Sequence, residues 1–249
     1  MAKKTLLQIT QDILNDLDSD EVNSINDTTE STQVAQIVRS CYEELCSNRN
    51  WPHQKKVSQL DAVGSTSKPN YLKIPDAVKE LVQFKYNVLK TGETKVQYRE
   101  VEYLYPDEFL EKIYQRNSDL TTITQIQDYS GVVLLIQNDK APEYWTSFDD
   151  EYVVCDSWDN AIDDTLKQNK TQAIIYEELT WTHTDDFIPD LPSEAFSLLV
   201  EEAKSTAFLA LKQMANQKAE QKAGRQQRWL SRKAWKAHGG IRYENYGRK

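Results

Sequence analysis

The sequence predicts an α+β protein. The expected architecture is an antiparallel helical bundle drawn from both chain ends, an inserted antiparallel β-rich region, and a projecting C-terminal helical arm. Three observations lead there. Apolar residues recur with a helical period near both ends of the 249-residue chain. Between them, Val, Tyr, Leu and Phe fall in short, roughly alternating runs. Charge is divided unevenly: residues 225–249 carry Arg225, Arg228, Arg232, Lys233, Lys236, Arg242, Arg248 and Lys249 against one acid, Glu244. That stretch is net +7, so the −9 of the whole chain leaves −16 on residues 1–224. An acidic body with a short basic tail implies that the two meet different partners.

The elements follow in order. Leu6, Ile9, Ile13 and Leu17, widened by Leu7 and Leu14, predict a helix over 5–18. The polar stretch 18–27 is a connection. A second helix starts near Thr28, with Asp27 as N-cap and Glu30 completing a capping-box-like start. Val34, Ile37, Val38, Cys41 and Leu45 mark its face until Trp51-Pro52 stops it. Such an α-hairpin needs another helix to cover its apolar faces.

After Pro52 strands are expected at 54–60, 71–74, 78–89 and 94–104, with Thr91-Gly92 as a hairpin turn between the last two. Pro106 opens a short helix with Phe109, Leu110, Ile113 and Tyr114 apolar. Further strands are expected at 122–128, 131–137, 143–148, 151–155 and 172–182, the run Gly131–Ile136 being buried on both faces. Residues 156–170 read as a loop or short helix.

From Pro192 the helical period returns through Phe196, Val200, Ala203, Ala207, Ala210 and Met214. Run unbroken from 193 to 236, this helix would be roughly 66 Å long. A compact body of this chain length has a radius of gyration of only about 18 Å. The helix therefore projects or breaks near Gly224. The resulting division is 1–52 and 191–223 for the bundle, 53–190 for the β-rich insert, and 224–249 for the basic arm. No internal repeat is visible.

Composition excludes several classes. Hydrophobic residues make up 39% and charged residues 28%, enough for a packed core under a large wet surface. No run of 18 apolar residues spans a membrane. The N-terminal stretch lacks the apolar core and cleavage site of a secretory signal. Three cysteines, Cys41, Cys46 and Cys155, are too few for a disulfide framework and imply a reducing compartment.

Catalytic and metal readings find little. Asp16, Asp18, Asp20 and Asp27 fall at positions 1, 3, 5 and 12 of a calcium-loop pattern. However, position 6 is Glu21, where such a loop needs Gly, and position 12 is not Glu. His53, His183 and His238 are scattered, and Cys41 and Cys46 point to different helix faces. There is no Gly-rich phosphate loop or nucleophile elbow. Asp149, Asp150, Glu151, Asp156, Asp159, Asp163 and Asp164 imitate a glycosidase pair only by number, and a solvated acidic loop is the default. The sequence therefore reads as no enzyme, with no cofactor.

The C-terminal stretch differs. Arg225, Trp229, Arg232 and Lys236 share one helical stripe, and Leu230, Ala234 and Ala237 share another. Tyr243 and Tyr246 follow Gly239-Gly240. Two Trp and two Tyr within 18 residues weigh against a merely solvated tail, because exposed aromatics mark partner sites. Nucleic acid and an acidic protein surface are both candidate partners.

The tail pattern RWLSRKAWKAHGGIRYENYGRK, with EVNSINDT, SNRNWPH and LKQNKTQ earlier, resembles the head-to-tail adaptor proteins of short-tailed bacteriophages, the tail tubular protein A-like or head completion proteins. The resemblance runs over most of the chain and is most specific in the tail. It implies a structural virion protein at the head–tail junction, assembled in the host cytoplasm. Its partners would be the portal ring, the tail nozzle and other copies of itself, usually twelve in a ring that continues the DNA channel. Genomic DNA would pass through without specific binding, past an acidic wall that repels phosphate. The portal contact would rest on Arg225, Arg228, Trp229, Arg232, Lys233, Trp235, Lys236, Arg242, Tyr243 and Tyr246, on an arm that is loose in the free chain and orders on its partner. The alternative is a nucleic-acid-binding phage protein gripping phosphate with the same tail.

Overall fold

The computed structural model describes residues 3–89 and 95–232, with only the backbone of Ser231 and Arg232. The chain starts with α1 (Leu6–Asp16) and α2 (Thr29–Ser47). Then come β1 (Lys55–Ser58), β2 (Asp61–Ala62), β3 (Tyr71–Lys73), β4 (Val78–Asn87), β5 (Tyr98–Tyr103) and α3 (Pro106–Tyr114). They are followed by β6 (Ile123–Gln127), β7 (Val133–Gln137), β8 (Tyr144–Thr146), β9 (Tyr152–Cys155) and β10 (Thr171–Glu177). The described residues end with α4 (Phe196–Lys212) and α5 (Gln217–Arg232). It divides into two compact units, 1–54 with 179–249, and 55–178.

In the helical unit, α1 begins with a capping box: the Thr5 hydroxyl accepts from Gln8 N–H, and the Gln8 side chain accepts from Thr5 N–H. Its apolar stripe Leu6, Ile9, Ile13 and Leu14 is buried. For α2 the N-cap is Thr28, reciprocated by Ser31, and not Asp27 with Glu30. Asp27 instead accepts the Asn23 and Ser24 N–H groups at 2.7 and 2.8 Å, closing the turn before the helix. Pro192 lies just outside α4, its carbonyl accepting the Ala195 and Phe196 N–H groups. Tyr42 of α2 meets the rings of Trp181 and Phe187 at 5.5 and 6.3 Å.

The β-rich unit holds an eight-stranded sheet in the order β1-β10-β4-β5-β8-β9-β3-β2. Its two end strands are separated in the chain by only Gln59 and Leu60, so the sheet curls until one bent segment supplies both edges. Leu60 is fully buried at the bend, and its N–H donates to the Thr171 hydroxyl at 2.9 Å. The core includes Tyr71, Leu72, Phe84, Val101, Val153, Val154 and Ala173, with Phe109 and Ile113 of α3. β4 and β5 pair antiparallel, Phe84 opposite Val101; the expected Thr91-Gly92 turn lies outside the described residues.

A separate two-stranded sheet joins β6 and β7. Here Leu134 and Ile136 are buried but Val133 is 43% exposed, so the run 131–136 is covered on one face and not on both. Its apolar letters are continuous because Val132 and Val133 remain at the surface.

A buried ion pair ties this hairpin to the main sheet. Asp156 is fully buried, and its Oδ2 accepts from Arg116 Nη2 at 2.7 Å. Its Oδ1 accepts the N–H groups of Glu143 and Tyr144 at 3.1 and 2.9 Å. Arg116 Nη1 reaches the carbonyls of Leu135 and Asp156 at 3.0 and 2.7 Å.

The expected architecture needs correction. The helices do not form an antiparallel bundle from both chain ends. They pack in series, α1 on α2, α2 on α4 and α4 on α5, with α1 and α4 meeting only marginally, while α3 belongs to the β-rich unit. The β-rich part is not wholly antiparallel, since β5 and β8 run parallel. No helical arm projects at 224–232, because α5 folds back along α4. The fold is α+β, dominated by the curled sheet and accompanied by five helices among the described residues.

Two substitutions test the packing. Ala203 and Ala207 are fully buried in α4, so Ala207→Phe should overpack and cost about 1–3 kcal/mol, read as a lower denaturation midpoint. Asp156→Asn removes the charged partner of the largely buried Arg116, which keeps its carbonyl contacts, and should cost about 1–3 kcal/mol; a thermal melt of the variant measures it.

Candidate functional site

The candidate site is the outer face of α5 and the chain that follows it. Its placement begins at the end of α4. Gln213 adopts a left-handed conformation, φ 53°, and its N–H returns to the Phe208 carbonyl, ending the helix. Four residues later α5 starts under Asn216, whose Oδ1 accepts the Ala219 N–H at 3.1 Å. The break thus lies at 213–216 and not at Gly224, which sits inside α5 at the roughly 1 kcal/mol that Gly costs relative to Ala.

The return is antiparallel. Lys222 pairs with Glu201 at 2.8 Å, and one turn further Gln226 Nε2 donates to the Glu194 carbonyl at 2.8 Å. Ala219, Ala223 and Leu230 are buried, and the two alanines allow close approach. Arg49, just past α2, donates from Nη2 to the Leu230 carbonyl at 3.1 Å, satisfying an end group of α5. Its guanidinium also lies 4.8 Å from the Trp51 ring centroid.

Arg225, Arg228 and Trp229 are left exposed on the far side, Trp229 at 41%. Arg225 Nε donates back to the Gln221 carbonyl at 3.3 Å. Lys218 and Lys222 extend this basic face. Arg232 is the last residue of α5. Lys233, Trp235, Lys236, Arg242, Tyr243 and Tyr246 lie outside the described residues. The expectation of a loose arm from 224 onward is therefore replaced, as far as residue 232, by a packed helix. The cause is Leu230: the stripe opposite the arginines seats on the body.

Several of the remaining candidates hold local structure. Asp16 pairs with Lys204 and Asp163 with Lys170. Asp149 Oδ1 accepts the Glu151 and Tyr152 N–H groups at 3.0 Å each. Among the described residues no group of three or more His, Cys, Asp or Glu is placed to hold a metal ion. Burial pushes the Cys41 thiol up to about 11, with the Thr206 hydroxyl opposing and Glu202 and Glu44 adding to the rise. Burial, with Asp156 beside it, holds Cys155 well above the ordinary thiol range. Neither is a ready nucleophile. A cleft of about 700 Å³ beside the β6–β7 turn is lined by Lys68, Gln127, Asp128 and Tyr129. The Tyr129 ring there stacks on Tyr152 at 4.7 Å and lies under the Lys68 ammonium at 4.1 Å, contacts that anchor the turn.

One surface escaped the sequence reading. Tyr103 and Tyr105 are 44% and 64% exposed, their rings 5.5 Å apart. Asp107 and Glu108 follow in the first turn of α3. The signal was the alternation Tyr103-Leu104-Tyr105 before Pro106, which reads equally as the end of a strand. Compared with known proteins, the chain matches no family model and no curated protein.

The seating of α5 has a measurable consequence. A chain ending at Lys222 loses Ala223, Leu230 and the Arg49 contact, so its melting temperature should fall clearly. Leu230→Ala alone should cost about 2 kcal/mol or more. A chain ending at Arg232 keeps Ala223, Leu230 and the Arg49 contact and should melt clearly above the chain ending at Lys222.

Proposed function

We propose that this chain is a structural subunit of a bacteriophage head-to-tail adaptor, sitting in the virion neck as a ring that joins the portal to the tail nozzle. The reading starts from the sequence resemblance. The observation that supports it best is an α5 anchored on the body with Arg225, Arg228 and Trp229 outward. Its end leads into the basic, aromatic stretch from Lys233 to Lys249. A firmly seated helix is a suitable base for a segment that must carry mechanical load between two rings. The portal contact is assigned to Lys233, Trp235, Lys236, Arg242, Tyr243 and Tyr246, because α5 already spends its inner face within its own unit. Trp and Tyr act as anchors and the cations set register on portal carboxylates or carbonyls. The acidic body faces passing DNA without holding it. No step of this work needs catalysis or a cofactor.

The test is attachment to purified portal rings, imaged by electron microscopy. The chain ending at Arg232 should remain folded and fail to decorate the rings. Trp235→Ala should weaken attachment by about 2 kcal/mol, the scale of an interface hot spot. Full decoration by the shortened chain would overturn the assignment. If instead the full chain bound DNA, with affinity falling steeply with salt as phosphate contacts demand, the nucleic-acid alternative would take its place.

A further inference from the structure

We propose that copies of this chain associate head to tail, the outer face of α5 of one copy seating on the Tyr103–Tyr105 surface of the next. The inference rests on the ring reading above and specifies its subunit contact.

The acceptor surface is built for docking. The Tyr103 ring packs on Trp145 at 4.8 Å, and Trp145 meets the buried Phe84 at 6.4 Å. The exposed tyrosines thus stand on a column of rings that reaches the core, and binding them costs little further ordering. Tyr105 caps α3, whose first turn carries Asp107 and Glu108, with Glu111 one turn on, all three exposed. The only lysine of that helix, Lys112, is turned onto the Tyr144 ring, 3.5 Å from its centroid. The surface is therefore aromatic at its centre and acidic at its rim.

The α5 face is its complement. It presents Trp229 with Arg225, Arg228 and Lys218 exposed, against the single acid Glu220. Arg, Trp and Tyr are the residues that dominate interface centres, and guanidinium over a tyrosine face adds attraction. The occupant is a second copy because both complementary surfaces belong to one chain. Like surfaces cannot pair here: two Tyr103 patches would oppose carboxylates, and two α5 faces would oppose arginines. Unlike surfaces of identical subunits give a heterologous contact, and a heterologous contact that closes gives a ring.

Charge exchange tests this in the full chain. Variant one carries Arg225→Glu and Arg228→Glu; variant two carries Asp107→Lys and Glu108→Lys. All four positions are exposed, so both variants should fold; variant two should melt slightly below the parent, because its lysines sit at the positive end of α3. Association is followed by sedimentation at low salt over a concentration series, and by ring formation on purified portal rings. Each variant alone should associate about tenfold more weakly than the parent, or worse. An equimolar mixture should recover association, because each acidic face then meets a basic one. If either folded variant associates as the parent does, or the mixture of folded variants recovers nothing, this contact is wrong while the ring reading stands. If the parent itself forms no ring on portals, the contact and the ring reading both fall.

Discussion

The reversal at Gln213–Asn216 decides what the last quarter of the chain can do. An apolar stripe continued straight through this point would carry a single long helix away from the body. Instead one left-handed residue ends α4, and an asparagine cap restarts the chain in the opposite direction. The basic residues of α5 are then placed by a packed helix. The inner residues Ala219, Ala223 and Leu230 fix the rotation of α5, and that rotation alone puts Arg225, Arg228 and Trp229 outward. A helix so rich in like charges would gain little from its own side-chain pairs. Its stability comes from tertiary burial and from the Arg49 contact at its end.

A comparable role falls to Asp156 in the β-rich unit. A short two-stranded hairpin has little stability of its own. Here β6–β7 is held by a carboxylate whose oxygens are occupied by Arg116, two backbone amides and the Ser157 hydroxyl. The main sheet is bent so that one segment, through the buried Leu60, serves both of its edges. Rigidity at these two points is what makes the aromatic column from Phe84 through Trp145 to Tyr103 a fixed surface feature.

Helix and strand positions were legible where periodicity was undiluted. The stripes of α1 and α2, the Pro106 start of α3 and most strands stand within a few residues of their expected places. Three things were hidden. A four-residue reversal fits inside an apolar stripe without disturbing its spacing, so Ala210 and Met214 read as core although both are exposed. Sheet order depends on long-range pairing, and nothing in residues 55–62 announces that they hold both ends of the sheet. Asp156 reads as one of seven loop acids, and only the approach of Arg116 from forty positions away distinguishes it. Of the candidate site, its basic and aromatic residue types were plain, but the face they occupy follows from Leu230 turning inward. The tyrosine surface at 103–105 was missed because strand alternation and an exposed anchor pair share one pattern.

Charge segregation gives these pieces a common logic. A net of −16 on residues 1–224 opposes random association of bodies. At physiological ionic strength that repulsion is screened beyond about 8 Å, so it sets the approach of two copies rather than the energy of their contact. What happens at contact depends on local sign: the surface is acidic beside Tyr103 and Tyr105, at Asp107, Glu108 and Glu111, and basic along α5, whose Arg225 and Arg228 lie outside the −16 of residues 1–224. In the contact proposed above, copies that repel as wholes would join basic helix to acidic aromatic surface. A weak, orientation-specific contact of this kind favours assembly where copies are already gathered at high local concentration, as on a template ring. In the proposed ring the basic stretch after α5 would supply the gathering, since its sign is opposite to that of residues 1–224.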